Sequence, residues 1–391
     1  MKFTKNTILI ATGLLFVLTG CKKEGCTDPL ADNYNEKSKT DDGSCEYSYS
    51  IPTTYVFTDT DGNNTVSFSG QTARMDMLSE MVTYLKSANG SNASPATLDA
   101  ATLLSMYDNS YTGWDDAALV GNGKKLKNKT ALNDAAIQAQ FETWMTEAAA
   151  ASPSSNGTYL QAATGQEWTQ LIEKGLMSAC FASQLTGNYL AGITGDDNVT
   201  ADEPAAGKYY TEMEHHWDEA YGYFTDTTDY PAGGTDRFWG KYANNTLEPV
   251  IGSATNISNA FRAGRAAIAA DRLNPDAGFT ADAVAQAAII ETEVQRMVAG
   301  MAIHYLNDVK AKVAGGIEPQ TKINHSMSEA WAFIYGIQFV NNSPMNSSTI
   351  STILAAIDTD FEGYTQNVTL INADIDAIAN AHGLSSYKDQ L

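Results

Sequence analysis

Basic residues are scarce in this sequence of 391 residues. Only 24 lysines and arginines stand against 46 aspartates and glutamates, which gives a formal net charge of -22. A surface of this sign repels phosphate backbones, so we expect no nucleic-acid partner. Proline is also sparse after the first fifty residues, whereas alanine is abundant. This composition favours helices over a β-sandwich.

Familiar catalytic motifs are missing as well. The sequence has no His-Glu-x-x-His zinc motif and no serine in a nucleophile-elbow pattern. A zinc hydrolase needs three protein ligands, an open position for water and a general base, and no spare glutamate marks that base. The sequence therefore leaves enzymatic activity undecided, and we favour a protein without one. A metal-dependent peptidase is the minority interpretation.

The N-terminus has the features of an export signal. Residues 1–20 begin with Lys2 and Lys5, continue with an apolar run at 8–18 that is too short to span a membrane, and end before Cys21. The last residues, Leu-Thr-Gly-Cys, resemble a bacterial lipobox. The resemblance implies cleavage before Cys21 and its lipidation, hence a lipid anchor in the cell envelope, expected at the outer membrane. The alternative is an ordinary secretory signal with a chance cysteine.

Residues 21–50 read as a tether that contains a small module. Cys26 and Cys45 are a plausible disulfide pair in an exported chain, and Cys180 is then left as a buried thiol. The loop between the pair is rich in aspartate and asparagine, whose oxygens suit calcium. A turn-rich, disulfide-closed spacer without calcium is the simpler interpretation.

Residues 51–391 are predicted to form an all-α body. An alternating stretch at 54–69 predicts a short hairpin or extended pair, and helical periodicity follows it. The predicted helices lie at 73–86, 94–106, 131–151, 167–190, 208–224, 256–272, 280–314, 322–340, 347–358 and 368–382. Helices of this length joined by short loops favour up-and-down bundles.

The stretch EMEHHWDEAYGYF at 212–224 is the strongest candidate site. On a helix, Glu219 follows His215 by four residues and His216 by three, so the three side chains can share one face. Imidazole and carboxylate one turn apart suit a transition metal such as iron or zinc. A buried, hydrogen-bonded pair would give the same pattern.

A second copy of this pattern occurs near the C-terminus. His325 and Glu329 have the same spacing as His215 and Glu219, and each glutamate is followed by alanine and two aromatics. The helix before each copy also matches, which predicts two related bundles at roughly 70–240 and 241–391. The alternative to a duplication is chance similarity between alanine-rich helices. If the two His/Glu helices meet, they could together form one metal site.

At these residues the chain resembles the imelysin-like family of exported bacterial proteins, which have two helical bundles and a Gly-x-His-x-x-Glu signature. His216 to Glu219 match its His-x-x-Glu part, but Glu214 stands where the signature has glycine. The resemblance implies a role in iron or haem acquisition, with envelope uptake machinery as a partner. It leaves open whether His215 or His216 is the ligand.

Two classes of function follow. The favoured one is an envelope lipoprotein that binds a metal ion, a metal chelate or haem at His215, His216, Glu219, His325 and Glu329. The alternative is a structural or interaction lipoprotein whose His/Glu pairs are packing elements, with tryptophans such as Trp114, Trp239 and Trp331 as surfaces for carbohydrate.

Overall fold

The computed structural model describes residues 23–154, 158–233 and 236–391. The predicted signal peptide and Cys21 lie outside these ranges. The described chain divides into two compact units, one that ends at Tyr49 and one that runs from Ser50 to Leu391.

The first unit is closed by the disulfide between Cys26 and Cys45, whose Cα atoms lie 4.7 Å apart. Its aspartate and asparagine oxygens accept hydrogen bonds from backbone N–H groups of the same loop. Asp28 accepts from Leu30 and Asp42 from Ser44. These turns give the acidic loop a role in its own folding, because such side chains replace missing backbone partners.

The second unit is all-α. Its described residues contain thirteen α-helices and isolated β-bridges but no named strand. The helices are α1 Ser69–Ser87, α2 Ala100–Tyr107, α3 Ala135–Ala151, α4 Trp168–Leu176, α5 Glu212–Phe224, α6 Phe238–Tyr242, α7 Glu248–Ile251, α8 Ser253–Leu273, α9 Thr280–Gly315, α10 Gln320–Gly336, α11 Ser347–Thr359, α12 Phe361–Gln366 and α13 Val368–Ala381. Among them, none combines the length and the apolar character that a membrane crossing requires.

The predicted all-α class of the body is therefore confirmed. The predicted hairpin reduces to a single antiparallel bridge between Thr58 and Asn64. The helix predicted at 167–190 is continuous in helical character, but beyond α4 it contains π-helical turns at Met177–Ala182 and Leu185–Leu190.

Helix α9 organises the core. It packs against α8 and α10, and its central residues from Met297 to Ile303 are buried. It is capped by Gly316, whose φ of 64° is the left-handed conformation that commonly terminates a helix. Small residues allow neighbouring helices to approach closely. At Gly264 in α8, an added Cβ would lie 2.1 Å from Cζ2 of Trp217 in α5.

An extended stretch at 50–68 packs on this helical body. Tyr55 is buried, donates its backbone N–H to the carbonyl of Thr228 over 2.6 Å, and stacks on Tyr221 with ring centroids 3.7 Å apart. This stretch leads directly into α1 and therefore fixes the chain beside α5, the helix that carries the candidate site.

Candidate metal site on helix α5

Helix α5 begins with a capping box. The Thr211 hydroxyl accepts from the Glu214 N–H over 3.2 Å, and the Glu214 carboxylate accepts from the Thr211 N–H over 2.9 Å. This reciprocal pair satisfies two backbone donors that a helix start otherwise leaves unbonded. It fixes the first turn of α5, and with it the positions of His215 and His216.

His215 is half-buried and keeps 30% of its side-chain surface accessible. Its Nδ1 donates to the carbonyl of Ser67 over 3.0 Å, and its ring stacks on Tyr210 with centroids 4.4 Å apart. Its Nε2 lies 4.0 Å from Oε1 of Glu219. Burial lowers the pKa of His215, although the charge of Glu219 opposes that shift. The ring is thus held in one orientation by its backbone partner.

Glu219 lies among polar side chains. Its Oε1 accepts from Nε2 of Gln71 over 2.8 Å. Lys129 donates to the Tyr189 hydroxyl over 3.0 Å. The pKa of Tyr189 is raised, mainly by burial and to a smaller extent by the charge of Glu219. Burial lowers the pKa of Lys129, the charge of Arg74 adds to that effect, and Glu219 opposes it. Glu219 is therefore engaged by Gln71, and its charge acts on Tyr189 and Lys129.

His216 faces a different group of side chains. Its Nδ1 lies 2.8 Å from Oδ2 of Asp196, in the loop before α5. One ligand atom from each of Asp196, Glu212 and His216 lies within 4.8 Å of the other two. Burial raises the pKa of Asp196, and the hydrogen bond with His216 opposes the shift. Within the described residues, this is the one cluster of three such side chains close enough to hold a metal ion.

The cluster is open to solvent. Glu212 is exposed, and the His216 side chain keeps 34% of its surface accessible. Glu212 and His216 line a pocket of 410 Å³, together with Asp197, Thr200, Ala201, Asp202, Tyr210 and His215. A solvated ion can therefore reach Glu212 and His216 without opening the core.

The second copy of the motif has a closed arrangement. In α10, Nδ1 of His325 lies 2.5 Å from Oε2 of Glu167, and Nε2 lies 3.4 Å from Oε2 of Glu329. Burial lowers the pKa of His325, but the hydrogen bond and charge of Glu167 outweigh it and raise the pKa overall. Lys174 lies 3.8 Å from Glu329. Both ring nitrogens thus face carboxylates, as expected of a buried ion pair.

The five predicted residues therefore fall into three places. Glu219 lies beside His215, His216 lies beside Asp196, and His325 with Glu329 forms the buried group in α10. Sequence reasoning missed Asp196 and Glu212. Glu212 precedes His216 by four residues on the same helix, which is the spacing that singled out Glu219, so that signal was available. Asp196 comes from a loop whose path the sequence does not predict.

Glu214 belongs to a buried ion network. The side chains of Arg265 and Asp218 are fully buried, with Nε and Oδ1 3.0 Å apart, and Nη1 of Arg265 lies 2.9 Å from Oε1 of Glu214. The Tyr55 hydroxyl donates to Asp218 over 2.7 Å. Burial raises the pKa of Asp218 to about 6, although Arg265 opposes that shift. Glu214 therefore has a structural role in this network.

The three tryptophans considered as carbohydrate surfaces are buried. Trp239 is fully enclosed and donates to the Met177 carbonyl over 2.7 Å, and Trp114 and Trp331 keep no more than 8% of their surface exposed. Their rings are part of the core, so they are not open stacking faces.

Together, the helical body, the disulfide-closed unit and the His/carboxylate cluster define an all-α protein with a candidate metal site at a helix start. The chain belongs to the family described as Domain of unknown function (DUF4856), which it matches over residues 52–383. No curated protein and no solved structure matches the chain.

Proposed function

We propose that this chain is an exported envelope protein that binds a divalent transition-metal ion through Asp196, Glu212 and His216. The observation that carries the proposal is the mutual separation of at most 4.8 Å between one ligand atom of each side chain. Two carboxylates and one imidazole suit iron, zinc or manganese, because imidazole is a poor ligand for calcium or magnesium. Three protein ligands leave further positions for water, so the ion can exchange.

The charge of the pocket favours a free ion over a chelate or haem. Asp197, Asp202 and Glu212 line it, and within the described chain no lysine or arginine does. Haem carboxylates and anionic chelates would be repelled by these groups, whereas a hydrated cation is attracted. Haem and chelates remain the alternative ligands in the test below.

The cellular location of the protein is part of the proposal. The disulfide between Cys26 and Cys45 suggests an oxidising, exported environment. A lipid anchor on Cys21, an outer-membrane location and delivery of iron or another metal to envelope uptake machinery are proposed from the sequence. They can be tested by labelling of the membrane fraction with a fatty acid.

We also propose that the α5 and α10 regions derive from one duplicated bundle, as in imelysin-like proteins. In both copies the histidine stacks on a tyrosine with centroids 4.4 Å apart, Tyr210 for His215 and Tyr159 for His325. In both, Nε2 of that histidine faces the glutamate four residues later. This shared environment supports a common origin beyond the sequence match.

The structural alternative is favoured at one of the copies. His325 lies between Glu167 and Glu329, and Glu329 also lies near Lys174. Buried charges that are paired in this way hold helices in register and need no metal. We therefore assign His325 and Glu329 to packing and keep metal binding at α5.

The test is metal binding by the purified chain, measured by calorimetric titration with Zn²⁺ and Mn²⁺ and, separately, with haem and ferric citrate. His216→Ala and Glu212→Gln should each weaken Zn²⁺ binding at least about tenfold, or about 1.4 kcal/mol. His304→Ala and Glu147→Gln are matched controls outside the cluster and should leave it unchanged. Wild-type affinity in both cluster variants would refute the site, and tighter binding of haem than of Zn²⁺ would refute the choice of ligand.

A further inference from the structure

A second pocket, away from the metal cluster, is lined by neutral side chains. It has a volume of 380 Å³ and lies between the loop after α10, the start of α11 and the turn that carries Leu132. Charged residues make up 18% of the chain, yet within the described ranges no charged side chain lines this pocket. Four carboxamides line it instead, those of Gln338, Asn341, Asn342 and Asn346.

Two of these carboxamides are held in place from behind. Glu291 in α9 accepts from Nδ2 of Asn341 over 2.8 Å and from Nδ2 of Asn342 over 2.9 Å. Because both amide nitrogens are bound to one carboxylate, the amide oxygens of the two neighbouring residues are fixed on the other side of each amide group. The backbone is fixed too, since Gln295 donates to the carbonyls of Asn341 and Asn342. Acceptors fixed in this way are preorganised for a ligand.

Apolar side chains complete the pocket. Phe339 lines it and packs edge-on against Tyr335, with centroids 5.0 Å apart. Leu132 also lines it, 52% exposed and with a φ of 55°, which is a left-handed conformation that leucine rarely adopts. A pocket with fixed neutral acceptors and apolar walls matches a ligand that has hydroxyl donors along its edge and C–H groups on its faces.

We propose that this pocket binds a neutral saccharide, with vicinal hydroxyl groups that donate to the amide oxygens of Asn341 and Asn342. Its volume is near the lower end of the range of about 300 to 1,000 Å³ found for small-molecule sites, which fits one or two sugar rings. An anionic ligand would find no cation in the lining, and a metal ion no carboxylate. The site is thus separate from the metal cluster in both place and chemistry.

Saturation-transfer NMR with the purified chain tests the proposal. The probes are the methyl glycosides of glucose, galactose, mannose and N-acetylglucosamine, each at roughly 20 mM, which is well above a millimolar Kd. At least one probe should receive saturation from the protein. The double variant Asn341→Ala with Asn342→Ala should reduce that transfer at least about tenfold, whereas the exposed Asn245→Ala should not change it.

Two control measurements separate a loss of sugar binding from a loss of folding. The double variant should keep the wild-type circular dichroism spectrum and Zn²⁺ affinity, so a loss of transfer reports on the pocket alone. No transfer to any of the four probes, or equal transfer in the wild type and the double variant, would overturn the proposal.

Discussion

Replacement of Arg265 by methionine should be the most destabilising single change near the candidate site. Arg265 has no exposed side-chain surface and lies between Asp218 and Glu214, which are also buried. Methionine fills a similar volume but removes the positive charge. Glu214 keeps Arg272 at 2.8 Å, whereas Asp218 keeps only neutral donors such as the Tyr55 hydroxyl. The variant therefore leaves one buried carboxylate without a cation.

The magnitude follows from that uncompensated charge. Loss of one partner of a buried ion pair costs about 3 to 5 kcal/mol. The penalty should depend on pH, because the pKa of Asp218 is about 6 in the folded protein, above its ordinary value of 3.8. A raised carboxyl pKa contributes stability at low pH that is lost as pH rises through the folded pKa. Without Arg265 the folded pKa rises further, so the loss extends to higher pH.

The assay is urea unfolding of wild type and Arg265→Met at about pH 5 and about pH 8. We expect a difference in unfolding free energy of about 3 to 5 kcal/mol at the higher pH. Above pH 6 it should grow by roughly 1 to 1.5 kcal/mol per pH unit, up to the new pKa. Arg262→Met, on the same helix, is the control and should stay within about 0.5 kcal/mol of wild type. A loss below about 1 kcal/mol, or one equal at both pH values, would refute this reasoning.

Two further changes test the packing and the second motif copy. Gly264→Ala should lower the free energy of unfolding in urea by about 1 to 3 kcal/mol, because the new Cβ meets Trp217. The control is Gly195→Ala, which has open space around the new Cβ and should be neutral. Equal effects of the two substitutions would contradict the close contact. His325→Gln should cost more stability at about pH 5.5 than at about pH 9. The folded protein raises the pKa of His325, so protonation of the ring stabilises the fold below the unfolded pKa of about 6.5. That gain is lost as pH rises through the folded pKa. A cost independent of pH would show that the ring next to Glu167 is uncharged.

Long, regular helices were predictable from the sequence. The prediction of a helix at 280–314 matches α9 at Thr280–Gly315, because apolar periodicity over many turns and a terminal glycine pair both mark it. Helices α6, α7 and α12 were missed, since each has six residues or fewer and cannot show a repeating apolar face. Their helical state depends on packing.

The candidate site was predictable only in part. The spacing of His215 and Glu219 placed them on one face of α5, where they lie near each other. The partner of His216 is Asp196, twenty residues earlier in a loop, and local periodicity carries no information about such a contact. The same limit applies to Gln71, whose amide donates to Glu219 from a helix far away in the sequence.

The extended stretch after residue 50 has a mechanical consequence. Arg265 donates to the carbonyl and hydroxyl oxygens of Thr65, and Tyr55 is tied to both Thr228 and Asp218. A pulling force applied at residue 50 therefore loads these buried bonds directly, before it can unravel α1. Force spectroscopy should find a resisting element at the start of the body.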